Sequence, residues 1–305
     1  MKILVTGSSG TIGTALCEKL TEEGFDVVCV DSKPNKWNRE LDKKTILVDL
    51  TRKEEVMQKL PKDAGLVIHL AAFPLVHKSV LNPDLAFENY RMFYNTIEFA
   101  RQAGVKKFMF ASSREVYGNS GQVVHKECDI NIERMESPYS ASKFGSEALI
   151  HAYKKCYGID FIIFRFSNVY GKYDDSDRVM PMFIRLSKKN GDVTVFGREK
   201  TLDFTYIDDA VNGIVLGVRN FDKAKNNTIN LAYGNGTTIL RVAELIQKET
   251  GSRGRIIVSE PKTGEVIKYI ADISNAGELL GYEPKVAIEE GVRKSVEWYT
   301  KNGLA

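Results

Sequence analysis

No apolar run in the 305 residues is long enough to span a bilayer. No basic run is interleaved with aromatics, and the net charge of +3 is small and dispersed, so neither nucleic acid nor membrane is an expected partner. Internal repeats and low-complexity linkers are absent. Cysteine is scarce: Cys17, Cys29, Cys128 and Cys156 lie far apart, without metal-ligand spacing. No metal site is expected, and the thiols read as reduced cysteines of a cytoplasmic protein. A signal peptide is not expected either, because the first core strand begins at residue 2.

What is present begins at once. Ile3, Leu4 and Val5 read as a short buried strand, followed by Gly7, Gly10 and Gly13 at three-residue spacing. A helix then starts, with Ile12, Ala15, Leu16 and Leu20 on one face and Gly24 as its stop. Strand, glycine turn and helix N-terminus together make an anion site, where glycine lets the backbone approach a pyrophosphate and first-turn N–H groups point at it. The next strand, residues 27–30, ends in Asp31. An acid there takes the two hydroxyls of an adenosine ribose and repels a 2′-phosphate, which favours NAD over NADP. Gly7, Gly10, Thr11, Ile12, Gly13 and Asp31 are therefore the first cofactor candidates.

Strands and helices then alternate. Strands are expected at 45–48, 66–70, 107–111 and 161–165, and helices follow Thr51, Asn82 and Ser137. A polar loop, 32–44, carries Trp37, read as a loop anchor. This alternation predicts an α/β protein: a doubly wound parallel-sheet Rossmann domain over residues 1–170, with strand ends gathered on one edge. After Gly171 the pattern loosens into a smaller C-terminal α/β lobe, 171–305, from which residues 205–232 return to the first domain. The length suits this division.

One constellation carries chemistry. Tyr139 and Lys143 lie four residues apart near the start of a helix, so they share a face and can reach one ligand. A phenol is a weak acid; a nearby ammonium favours its phenolate and makes it a usable base. Ser113, at the end of the preceding strand, can hydrogen-bond the same substrate oxygen. His69 and His77 read as structural.

The sequence resembles the extended short-chain dehydrogenase/reductase family, in its NAD-dependent nucleotide-sugar epimerase/dehydratase group. The resemblance rests on the glycine turn Thr6–Gly13, Asp49-Leu50, the stretch His69–Ala72, Ser112-Ser113 with Val116–Gly118, Tyr139–Lys143, Arg165–Gly171 and Tyr206–Asp209. It covers nearly the whole chain and is nearest to the UDP-glucose/UDP-galactose 4-epimerases. It implies that Asp49 and Leu50 contact the adenine and that Leu70, Ala71 and Ala72 line the cofactor, with Asn89, Ala111 and Phe166 beside them. It places Ser113, Asn168, Val179, Val195 and Tyr269 at a UDP-sugar. Tyr139 would take the proton of the sugar's 4-hydroxyl while C4 reduces NAD⁺. The helices after Asn82 and Ser137 would pair with their copies in a homodimer.

Several positions depart from that pattern. Leu202 stands where the family has an arginine for the diphosphate, and Lys262 where it has a second. Arg178, Arg198 and Lys200 are candidates to compensate, and Arg178 with Lys262 is the expected clamp. Glu115 has two readings: a partner of Arg114, or a catalytic carboxylate of a decarboxylase or dehydratase on the same scaffold. A non-catalytic NAD-binding regulator is the third class, opposed by the intact Ser113, Tyr139 and Lys143.

Overall fold

In the computed structural model, which describes residues 1–260 and 266–304, Ile3 and Val5 enter one hydrophobic cluster and Leu4 another. All three are fully buried. Successive strand residues point to opposite faces, so the sheet they begin is covered on both. Its strands are β1 (Lys2–Thr6), β2 (Asp26–Asp31), β3 (Ile46–Leu47), β4 (Leu66–His69) and β5 (Lys107–Ser113). After a two-residue β6 (Val124–His125) come β7 (Asp160–Phe166), β8 (Asn168–Tyr170), β9 (Val193–Phe196), β10 (Thr201–Tyr206) and β11 (Asn227–Leu231). The chain ends with β12 (Gly236–Thr238), β13 (Ile256–Ser259) and β14 (Lys268–Ala271).

The main sheet is seven-stranded, in the order β11-β7-β5-β4-β1-β2-β3, and every pairing in it is parallel. The order reverses between β1 and β4. Ligands of open parallel sheets sit outside the carboxyl ends of the strands at such a point. A second sheet, β12-β10-β14-β6 with β8 against β10, and a parallel β9–β13 pair form the rest. One apolar cluster runs without a break from Ile3 and Leu16 through Phe164 to Leu202, Tyr269, Val292 and Tyr299. The lobe that holds β10 and β14 is thus packed on the same core as the large sheet. No helix among the described residues is long and apolar enough to cross a membrane. All four cysteines are unpaired, Cys17 and Cys29 buried, Cys128 and Cys156 exposed.

Several local expectations are corrected. The loop 32–44 contains a helix, Arg39–Lys44, because Asn38 accepts the N–H groups of Glu40 and Leu41. Thr51 does not cap the next helix: its hydroxyl donates to Asp49 at 2.7 Å, and the helix starts at Lys53. The helix expected to open at Asn82-Pro83 is present as Asp84–Gln102, but a short helix, Val76–Leu81, stands before it that the residues did not show. Trp37 does anchor its loop, packed on Tyr173 and Trp298.

Candidate active site

The glycine turn is shaped by contact. Gly7 has φ +74°, and a Cβ there would lie 2.7 Å from the backbone nitrogen of Ala71. A Cβ on Gly13 would lie 1.9 Å from the Gly7 carbonyl. Only glycine allows the end of β1, the start of the helix Thr11–Glu22 and the Leu70-Ala71 turn to meet so closely. Gly10 caps that helix without a side-chain hydrogen bond. The first-turn N–H groups, Thr11, Ile12 and Gly13 among them, have no intrahelical acceptor and remain a site for an anion. Asp31 closes the other side: its carboxylate accepts the N–H of Ser9 at 2.9 Å and of Lys33 at 3.0 Å. A bare helix end, a glycine cradle and an acid at the end of β2 fit a dinucleotide with a free ribose. Asp49 and Leu50 lie just beyond β3, Leu50 held through its carbonyl by Asn95 at 2.8 Å. Asn89 spends both ends of its amide on the backbone of Phe73, at 2.7 and 3.1 Å. It fixes the loop that carries Ala71 and Ala72. Ala111 and Phe166 sit near the ends of β5 and β7, on the same edge.

Ser113 is the last residue of β5, and Tyr139 the second of the helix Pro138–Tyr157. Ser137 caps that helix by accepting the Ser140 N–H, and Pro138 takes the first-turn place where no donor is needed. Lys143, one turn on, donates to the Ala111 carbonyl at 2.8 Å, with its Nζ 5.8 Å from the centre of the Tyr139 ring. Burial pushes the Tyr139 phenol up to about 12, against a lowering hydrogen bond from Ser113. Glu115 raises it further, while Arg178 and Arg114 lower it. Burial likewise brings Lys143 down to about 8, opposed by Glu147. In the chain without its cofactor, desolvation outweighs the lowering contributions of Ser113, Arg178 and Arg114. His69 is structural: it is buried, its Nδ1 is 2.9 Å from the Thr6 hydroxyl, and burial lowers it to about 3.

The far wall comes from the lobe. Asn168 opens β8 and donates its amide to the Asp203 carbonyl at 3.0 Å. Val179 starts the helix Val179–Lys188, and Arg178 precedes it with Nη1 3.7 Å from the Asp174 carboxylate. Val195 lies wholly inside the core on β9. Leu202 is opposite Tyr269 in the β10–β14 register, and both are buried. Tyr269 stacks on His125 and Tyr117 and leaves its hydroxyl unpartnered. Arg198 is exposed, Lys200 buried. Lys262 lies outside the described residues.

Sequence reasoning passed over a buried network next to Tyr139 and Lys143. Glu147 receives two hydrogen bonds from Arg165, at 3.0 and 2.7 Å, and one from the Ser112 hydroxyl. The signal was available: Glu147 is four residues after Lys143 and so shares its helix face.

The sequence matches the NAD dependent epimerase/dehydratase family over residues 3–232. It is 33% identical over 309 residues to a putative UDP-glucose 4-epimerase of Methanocaldococcus jannaschii, covering 98% of this chain and 99% of that one. To a UDP-glucuronate 4-epimerase of Thermodesulfobacterium geofontis it is 30% identical, over 98% and 96% of the two chains. Its fold is similar to the crystal structure of a Thermotoga maritima UDP-glucose 4-epimerase with UDP-glucose, with a TM-score of 0.90, 31% identity and 99% of each chain covered. With a fitting dinucleotide cradle and a serine, tyrosine and lysine set at the same sheet edge, the chain belongs to the NAD-dependent epimerase/dehydratase family and is an NAD-dependent epimerase.

Proposed function

We propose that the protein inverts C4 of a UDP-hexose, interconverting UDP-glucose with UDP-galactose or the corresponding N-acetylhexosamines, through a 4-keto sugar. The observation that carries this is the placing of Ser113, Tyr139 and Lys143 within one helical turn and one strand end of the dinucleotide cradle. Gly7 to Gly13 and Asp31 would hold NAD, which would supply reversible oxidation at C4. Tyr139, as the phenolate that Lys143 and the positive charge of an oxidised nicotinamide would favour against burial, takes the 4-hydroxyl proton and later returns it, with Ser113 aligning the sugar oxygen. Lys143, fixed on Ala111, holds its own orientation toward the cofactor ribose and the phenol. The keto sugar has to present its other face before the proton comes back. The pocket must therefore grip the diphosphate firmly and the hexose loosely.

For the diphosphate, Arg178 is the supported cation, since it flanks a helix N-terminus and its charge is felt at Tyr139. Lys262 is its proposed second member. For the hexose, the bulk of Tyr269 favours a plain sugar over an N-acetylated one. A homodimer fits the helices Asp84–Gln102 and Pro138–Tyr157, on which Phe87, Tyr94 and Tyr157 stay exposed although Arg91, Lys53 and Arg101 lie over their rings, while Phe93, Phe99 and Tyr153 are buried. Sedimentation as a concentration-independent monomer would remove the dimer.

The test is a panel of UDP-sugars with products resolved by NMR. C4 epimers should form without net release of NADH. Tyr139→Phe should keep NAD bound and lose about 10²- to 10⁴-fold in kcat, the range for a general base. Carbon dioxide released from UDP-glucuronate would instead identify a decarboxylase.

A further inference from the structure

Arg114 and Glu115 follow the catalytic Ser113 directly, in the 3₁₀ turn Arg114–Tyr117. The Glu115 N–H donates to the Ser113 hydroxyl at 3.2 Å, so the turn is tied to the reacting group. Both side chains are nine-tenths buried or more, Arg114 at 10% and Glu115 at 7% exposure. They pair through one contact, Arg114 Nη2 to Glu115 Oε1 at 2.7 Å. The guanidinium lies 5.6 Å from the centre of the Tyr269 ring. The pair is thus bracketed by Ser113 on one side and Tyr269 on the other.

What sets it apart is what it leaves open. Arg114 Nη1 and Glu115 Oε2 are both buried and both lack a hydrogen-bond partner. The nearby Asp203 carboxylate is spent largely on the N–H groups of Tyr233, Gly234 and Ala271, which it accepts at 3.0, 2.9 and 3.2 Å. A buried donor and a buried acceptor on one ion pair, both unfilled, ask for a ligand that offers one of each. Sugar hydroxyls do so. A carboxylate offers acceptors only: it would fill Nη1, leave Oε2 bare and set a second negative charge beside Glu115.

We infer that the Arg114–Glu115 pair is a selectivity element of the sugar pocket, which takes hydroxyls of a neutral hexose and rejects a sugar carrying a carboxylate. This rests on the proposed epimerase function and narrows its substrate class. The chain stands between relatives described as UDP-glucose and UDP-glucuronate epimerases, and the pair places it with the neutral sugars. Electrostatic mismatch of this kind separates partners by repulsion as much as by attraction.

The experiment uses the full NAD-loaded protein with UDP-galactose and UDP-galacturonate, following C4 inversion by NMR. The wild type should favour the neutral sugar in kcat/KM by about a hundredfold, as expected where like charges are brought together in a buried site. Glu115→Gln removes the charge but keeps the shape and the bond to Nη2. It should narrow that ratio at least roughly tenfold, mainly through a lower KM for the uronate. Arg114→Gln should weaken both substrates without reversing their order. A wild-type preference for the uronate, or a ratio unchanged in Glu115→Gln, overturns the inference. Should Glu115→Gln fail to fold by circular dichroism, calorimetry on Tyr139→Phe decides, since it leaves the pair intact: equal affinity for UDP-glucose and UDP-glucuronate overturns the inference, tighter UDP-glucose supports it. Absence of inversion with either sugar sinks the epimerase reading, and the two affinities then still judge the pair.

Discussion

Two arginine–glutamate pairs lie buried near the same catalytic edge, and they are finished differently. Glu147 and Arg165, each 4% exposed, are joined by two parallel bonds. Ser112 donates to the glutamate, and the arginine donates on to Tyr117 at 3.1 Å and to the Glu127 carbonyl at 2.7 Å. Tyr117 passes the chain to Asn230 at 2.6 Å, whose amide reaches the carbonyls of His125 and Asp272. Arg114 and Glu115 share one ion-pair contact and end in two bare atoms. Residue type and burial are alike in the two cases. Satisfaction is what separates a pair that holds the fold from a pair that waits for a ligand.

The sharpest way to break this comparison is Glu147→Gln. Removing one member of a finished buried pair leaves Arg165 uncompensated, at a cost of about 3–5 kcal/mol. Urea denaturation would read it as a lower midpoint with an unchanged slope. A cost below about 1 kcal/mol would show that the network carries no stability.

Arg178 and Asp174 form an intermediate case. They stand 3.7 Å apart, beyond a hydrogen bond, and the Asp174 Oδ2 is buried without a donor. By the same reasoning Arg178 is free to serve the diphosphate. Arg178→Ala should weaken UDP binding by about 1.5–3 kcal/mol, the range for a hydrogen bond to a charged group. KM should rise more than kcat falls, since the contact is made in ground and transition states alike. Calorimetry with UDP alone that finds no change would move the clamp to Arg198 or Lys200.

His69 tests how a lone buried group behaves with no charged partner. Its folded pKa of about 3 lies below the unfolded value near 6.5. Below pH 6.5 the unfolded chain therefore binds a proton that the folded chain refuses. The stability it contributes is whole above pH 6.5 and is lost as the pH falls toward 3. Between pH 6.5 and 5 that amounts to about 2 kcal/mol, at roughly 1.4 kcal/mol per unit. In His69→Asn this part of the acid dependence should vanish from denaturation midpoints measured across that window.

Much of this architecture could be read from residues alone, and the reason is physical. Gly7, Gly10 and Gly13 answer a backbone contact, and Asp31 and the Tyr139–Lys143 spacing follow from strand and helix geometry, so sequence order encodes them. The helices Arg39–Lys44 and Val76–Leu81 are less visible, because short helices depend on a single cap or turn. The upward push of burial on Tyr139 is illegible for a different reason. Burial is a property of the whole fold, and no spacing shows how far a phenol is desolvated. Which buried pair is finished was illegible too, since Tyr117, Glu127 and Asn230 reach Arg165 from distant parts of the chain.

The smallest effect belongs to the other pair, and it decides the comparison. Glu115→Gln keeps an oxygen for Arg114 Nη2 and removes only an acceptor that has no donor. The substitution does take the opposite charge from the buried Arg114, but no further hydrogen bonds go with it, so its cost in stability should lie below that of Glu147→Gln measured in the same denaturant series. The two substitutions are the same chemical change at comparable burial, and side-chain size and lost charge cancel between them. What remains is the difference between a filled and an unfilled hydrogen-bond shell. If Glu115→Gln destabilises as much as Glu147→Gln, then Glu115 is bound into the fold after all. The two bare atoms would in that case be strain within a structural pair, and the argument that they await sugar hydroxyls would lose its basis. If it costs little while the preference for neutral sugars falls, the free energy of the pair is spent on the ligand and not on the fold.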